Sequence, residues 1–104
     1  MIQQFNYLTQ DIHLNGIMFK TLELSQAMEE YVTGYTVVTP KLNELVPYHK
    51  HLGIEHTLVV KGSVRFNVEE ELIDIYSGQL IIINAEMLHS MVALELGTML
   101  FIGF

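Results

Sequence analysis

The sequence predicts an all-β fold of the sandwich or barrel kind, and two features of its pattern carry that expectation. Its seven glycines fall at positions 16, 34, 53, 62, 78, 97 and 103, a fairly even punctuation by turns. Between them lie short runs rich in β-branched and aromatic residues, with no long stretch of helical periodicity. The length agrees: 104 residues make one domain, spanning 1–104, and half of them are hydrophobic, enough for a single core.

Taken in order, residues 1–15 are mixed and suggest no element. Ile17 to Leu24 reads as a strand. Ser25 to Glu30 contains good helix formers but is too short to be stable alone, so it reads as a turn or a single helical turn. Tyr31 to Thr39 is a strong strand candidate, ended by Pro40, which has no N–H for a ladder. His49-Lys50-His51 reads as extended chain. Further strands are expected at His56 to Lys61, Ser63 to Val68, Leu72 to Tyr76, Gln79 to Ile83, Ser90 to Leu94 and Thr98 to Phe104. Glu69-Glu70-Glu71 falls between two of these strands and reads as a solvated hairpin tip. It lacks the Asn-Gly or Asp-Gly that tight hairpins favour.

Composition excludes several functions. There is no cysteine, hence no disulfide framework, no thiolate metal site and no cysteine nucleophile. The net charge is −7, a field that repels phosphate backbones and anionic membrane surfaces, so no nucleic-acid partner is expected. No apolar run approaches the roughly 20 residues that span a bilayer. Met1-Ile2-Gln3-Gln4-Phe5 lacks the basic start and apolar stretch of a signal peptide, and the expected location is cytoplasmic.

The chemistry concentrates in the histidines. In an extended segment, His49 and His51 point to one face and Lys50 to the other. Glu55 follows after Leu52-Gly53-Ile54, and Gly53 offers a bend that can return the carboxylate to the same face. His89, far away in sequence, can supply a fourth donor from another strand. Three neutral imidazoles and one carboxylate around a divalent ion leave positive charge and open positions, which suit water, dioxygen or an anionic substrate atom.

These residues match a known pattern. Asn43, five residues, His49, Lys50, His51, three residues, Glu55, six residues, Gly62 resembles the first motif of the cupin family, G-x5-H-x-H-x3-E-x6-G. Gly78, five residues, Asn84, Ala85, Glu86, two residues, His89, three residues, Ala93 resembles the second, G-x5-P-x-G-x2-H-x3-N. Together the motifs, at 43–62 and 78–93, cover about half of the chain. The departures are Asn43 for the first glycine, Asn84 for the proline, Glu86 for a glycine and Ala93 for the final asparagine. Asn43 can still enter the left-handed region, whereas Glu86 is costly if its position needs a positive φ.

The resemblance implies a single cupin domain: a double-stranded β-helix, or jelly-roll barrel, of two antiparallel sheets around a cavity. It implies that His49, His51, Glu55 and His89 hold one divalent transition metal, iron, manganese, zinc or nickel. The family spans dioxygenases, decarboxylases, isomerases, sugar-binding proteins and seed storage proteins, and the fold does not choose among them. The expected function is a metal-dependent enzyme acting on a small molecule, dioxygenase-like or a Lewis-acid isomerase or decarboxylase, with Glu55 and Tyr35 as catalytic candidates. The alternative is a non-catalytic binding or sensor module.

Alternation then assigns a cavity lining. Met87 and Met91 follow His89, and Thr57 follows Glu55. Phe66, Met99 and Phe101 are expected from neighbouring strands, and Tyr35 can project inward to donate a hydrogen bond. His56 should point away from Glu55, toward the surface. Lys41, Lys50, Lys61 and Arg65 cluster around the first motif and could give the cavity mouth a less acidic rim. Leu58 and Val60 lie on the face opposite the ligands, an apolar outer face that suggests a homodimer.

Overall fold

A computed structural model describes residues 2–6, 26, 28–29 and 32–104. The expected strand from Ile17 to Leu24 lies outside the described residues. Among the described residues there are nine strands: β1 (Ile2–Asn6), β2 (Tyr35–Val38), β3 (Leu45–His49), β4 (Glu55–Lys61), β5 (Ser63–Val68), β6 (Glu71–Tyr76), β7 (Gln79–Ile83), β8 (His89–Ala93) and β9 (Met99–Gly103). Gln26, Met28 and Glu29 are helical, and the Val32 amide donates to the Met28 carbonyl at 3.2 Å.

The strands form two antiparallel sheets. One has five strands in the order β1-β7-β4-β9-β2, the other four in the order β3-β8-β5-β6. Most neighbours in a sheet are distant in sequence, so the chain crosses repeatedly between the layers, as in a jelly roll. Val59, Ile81, Ile83 and Leu100 from the larger sheet meet Val64, Phe66, Val68, Ile75 and Met91 from the smaller one, and this layer is the main core. The alternation is clean on β5: Val64, Phe66 and Val68 are buried while Arg65 is exposed. Arg65 pairs with Asp74 across the β5–β6 hairpin through Nε at 2.7 Å and Nη2 at 3.0 Å. Arg65 therefore lies on the outer face of its sheet rather than on a cavity rim.

The outer face of the larger sheet carries a second apolar layer. Leu58, Val60, Leu80 and Phe101 are buried there beneath Met28 and Val32 of the same chain. This corrects the expectation that Leu58 and Val60 lie open to a partner, and removes the argument they offered for a homodimer. It also explains why His56, on the same face of β4, is buried rather than at the surface. Burial lowers the His56 pKa, against hydrogen bonding at Ile54 and the charge of Glu55. Sequence reasoning missed this layer because its cover comes from a segment remote from β4.

The β5–β6 hairpin closes through a two-residue turn, with Val68 opposite Glu71. Both turn residues have positive φ, Glu69 at 47° and Glu70 at 72°, the requirement of the type I′ turn that suits right-twisted strands. Glutamate bears a steric cost there of roughly 1–2 kcal/mol per residue. The double substitution Glu69→Asn, Glu70→Gly is expected to stabilise the fold by about 1–2 kcal/mol, raising the melting temperature by roughly 5–10 °C. A thermal melt that does not move, or moves down, counts against this turn geometry.

Candidate metal centre

The donors come from both sheets and from the loop that joins them. His49 ends β3 and His89 begins β8, directly opposite each other in the smaller sheet. Glu55 begins β4 in the larger sheet, and His51 lies in the connection between β3 and β4. The β3–β8 register shifts between Val46 and His49, a bulge spanning Pro47, whose missing N–H leaves no ladder donor to satisfy. One potential ligand atom from each of His49, His51, Glu55 and His89 lies within 4.8 Å of every other.

The hydrogen bonds around these residues define what the centre offers. Nδ1 of His49 stands 2.8 Å from the Pro47 carbonyl, and Nδ1 of His89 stands 2.8 Å from the Met87 carbonyl. A carbonyl only accepts, so each Nδ1 carries the proton and each neutral ring turns the Nε2 lone pair inward. Such outer contacts fix the tautomer that metal-binding imidazoles need. Glu55 is held by the Thr57 hydroxyl, which donates to Oε2 at 2.9 Å. Its Oε1 lies 3.3 Å from Nε2 of both His51 and His89. Lone pairs facing a carboxylate oxygen at that distance repel unless a cation or a proton sits among them. The donor set therefore fits a divalent ion with nitrogen and oxygen ligands.

The ionisation directions agree. Burial opposes the charged form of Glu55, yet the hydrogen bond and charge of His89, the Thr57 hydroxyl and the charge of His51 together hold its carboxyl below the usual range. Burial likewise opposes the His89 cation, but the Glu55 hydrogen bond, the Met87 carbonyl and the Glu55 charge outweigh it and raise the pKa. For His51, burial and the neighbouring His49 and His89 prevail over Glu55 and lower it.

A stability prediction follows for the metal-free protein. The depressed Glu55 contributes stability above its ordinary value of 4.5, lost as pH falls through its lower folded-state pKa. The raised His89 contributes stability below its ordinary value of 6.5, lost as pH rises through its higher folded-state pKa. His51 opposes below 6.5, but its side chain is one-third exposed and water screens its share. The Glu55–His89 pair should thus contribute most to the metal-free protein between 4.5 and 6.5, while the lowered His51 and His56 subtract from stability below 6.5. Zinc replaces the protons, so it should raise the melting temperature more at about pH 7.5 than at about pH 5.5. An equal increment at both would contradict imidazole ligation.

The centre opens on a cavity of about 220 Å³ whose other walls are Val38, Val46, Phe66, Met91 and Ile102. Phe66 and Met91 lie where alternation put them. Met87 is half-buried and packs against the main core, and Thr57 serves Glu55. Three expectations are corrected. Phe101 pairs with Leu58, and directly opposed residues share a face, so Phe101 turns to the outer layer with Met99. Tyr35 stacks on Phe101 with ring centroids 4.6 Å apart, on that same outer side, and is not among the walls of the metal cavity. Ile102, opposite Thr57, takes the inward place. Sequence analysis also missed Val38 and Val46; Val38 follows once β2 pairs with β9 and sets Val38 opposite Leu100.

The motif glycines and their substitutes meet their backbone demands. Gly62 and Gly78 have φ of 82° and 85°, and Asn43 and Glu86 take 60° and 63° in the places of the motif's other two glycines. The Glu86 side chain is exposed, and its amide donates to the His51 carbonyl at 2.7 Å, so its place in the loop braces the His51 backbone.

Comparison with known proteins supports the fold. No model of a known protein family matches the sequence. Over 71 residues the chain is 33% identical to an uncharacterized HTH-type transcriptional regulator, YdeC, of Bacillus subtilis (strain 168), a match covering 67% of this chain and 24% of that protein. The chain thus spans about a quarter of the length of that curated relative. A DUF861 family protein from Thermotoga maritima superposes with a TM-score of 0.66 at 11% identity, over 100% of this chain and 99% of that one. A cupin-2 domain containing protein from Shewanella frigidimarina NCIMB 400 superposes with a TM-score of 0.59 at 15% identity, over 84% of this chain and 97% of that one.

Proposed function

Because this chain has the fold of a small cupin, we propose that it binds one divalent transition metal through His49, His51, Glu55 and His89 and uses that site to act on a small molecule. The observation that supports this is the convergence of four donors, two of them in the tautomer that ligation requires, on one wall of an otherwise apolar cavity. A bound ion would supply Lewis acidity, or redox chemistry if it is iron or manganese, at positions the protein leaves open. The chain's own contribution is orientation and exclusion of water. Val38, Val46, Phe66, Met91 and Ile102 hold the apolar part of a substrate, and Thr57 fixes the Glu55 carboxylate. Glu55 is also the one carboxylate among the lining residues that can take up a proton beside a bound substrate.

A second reading is ligand sensing. The match to part of an HTH-type regulator favours it, and so does the absence of Tyr35 from the metal cavity, whose described lining then has no titratable group beyond the donors. Elemental analysis of tag-free protein, followed by oxygen uptake and turnover with diketones, flavonoids and sugars, separates the two. About one metal per chain is expected, with turnover lost in His51→Ala and Glu55→Ala variants. Metal far below one per chain, with no gain on adding iron, manganese, zinc or nickel, would overturn both.

A further inference from the structure

Beside the metal cavity lies a larger depression of about 420 Å³ whose walls include Thr33, Gly34, Tyr35, Thr36 and Phe104. The two spaces share Val38 and Ile102. They are also joined along one strand. Thr36 pairs with Ile102 and Val38 with Leu100, so Thr36 and Val38 lie on the same inner face of β2, Thr36 bordering the depression and Val38 bordering both spaces. The chemistry changes along that line, from an apolar chamber to a wall bearing threonine hydroxyls. Phe104 marks the boundary: its ring meets the His51 ring edge-on, with centroids 4.5 Å apart, and it also borders the depression.

Size gives the connection a meaning. A chamber of 220 Å³ is smaller than the roughly 300–1,000 Å³ of ordinary small-molecule sites. Joined to the depression, it falls within that range. From this we infer that the depression along β2 and β9 is a second compartment of the same binding site. The ligand is an elongated small molecule: a metal-chelating oxygen end at the four donors, an apolar middle against Val38 and Ile102, and a hydroxyl- or carbonyl-bearing far end against Thr33 and Thr36. This inference rests on the metal-binding reading above.

Gly34 provides the test. Among the described residues no atom lies within 4 Å of where its Cβ would stand, and Gly34 borders the depression, so a side chain there is placed to fill it. Zinc-loaded protein is titrated calorimetrically with straight-chain hydroxamic acids, from acetohydroxamic to octanohydroxamic acid, whose heads chelate zinc. Affinity should rise at least about 10-fold along the series, each buried methylene contributing. Gly34→Leu should cancel that gain, weakening octanohydroxamic acid about 10-fold and leaving acetohydroxamic acid within about twofold. Thr36→Leu, which adds bulk to the same wall, should do likewise if Gly34→Leu fails to fold. Amide resonances of Thr33 and Thr36 should shift with the long probe and not with the short one. Affinity that is flat with chain length, or a blocking variant that weakens both probes equally, overturns the second compartment alone. Failure of acetohydroxamic acid to bind zinc-loaded protein overturns the metal reading beneath it.

Discussion

Replacing His51 or His89 by alanine should lower zinc affinity by at least about 100-fold, since loss of a mere outer partner of a metal ligand costs about 10–100-fold. The two variants should differ in stability. His51 is partly exposed, and its ring touches Phe104 at the cavity mouth, so metal-free His51→Ala should stay within about 0.5 kcal/mol of the parent. His89 is fully enclosed. Removing it takes a donor from the Met87 carbonyl and a buried ring partner from the Glu55 carboxylate, a loss of about 2–4 kcal/mol. Calorimetric zinc titration and denaturant melts of the metal-free proteins measure both. Undiminished zinc affinity in either variant would remove that residue from the donor set.

Gly62→Ala, at the single residue that joins β4 to β5, should strongly destabilise the fold. Its φ of 82° is a conformation that L-residues avoid, and a Cβ there would stand 2.9 Å from the Thr98 Cα and closer still to its hydroxyl. Thr98 cannot yield, because it is fully buried and its hydroxyl donates to the Glu95 carbonyl at 2.8 Å. Left-handed strain of roughly 1–2 kcal/mol and overpacking of about 1–3 kcal/mol add to a large share of the 5–15 kcal/mol typical of a whole domain. The melting temperature should fall by more than about 10 °C. Gly34→Ala, with open space around it, is the control and should melt within about 2 °C of the parent. A Gly62→Ala protein that also melts so close to the parent would refute the close approach to Thr98.

Gly62 shows what the sequence makes legible. A glycine at fixed spacing from His49, His51 and Glu55 reports a backbone demand, and φ there is positive. Strands with strong local character were equally legible: β5 and β7 match their expected bounds, and β4, β6, β8 and β9 differ by a residue or so at their ends. Two strands escaped notice for physical reasons. β3 carries Pro47, which argues against a strand until the bulge accommodates it, and β1 begins Ile-Gln-Gln, with no apolar alternation to announce it. Tyr31 to Thr39 was overextended: only Tyr35–Val38 pairs with β9. The cavity faces were the harder part. Alternation divides β9 into Met99 with Phe101 and Leu100 with Ile102, but only its register with β4 decides which pair looks inward. That register is a long-range fact, absent from any local window.

The placement of the four donors has a consequence for folding. His49 and His89 belong to one sheet, Glu55 to the other, and His51 to the crossing between them. A bound ion would therefore cross-link the two layers, adding to the apolar core and the Glu55–His89 contact between them. His89 follows Glu55 by 34 residues, so the complete donor set exists only once the chain has closed. A metal bound there would favour the folded state by mass action, more strongly as its free concentration rises above its dissociation constant. In that sense the centre works as a clasp, and the supply of metal ion would set how firmly this small barrel stays shut.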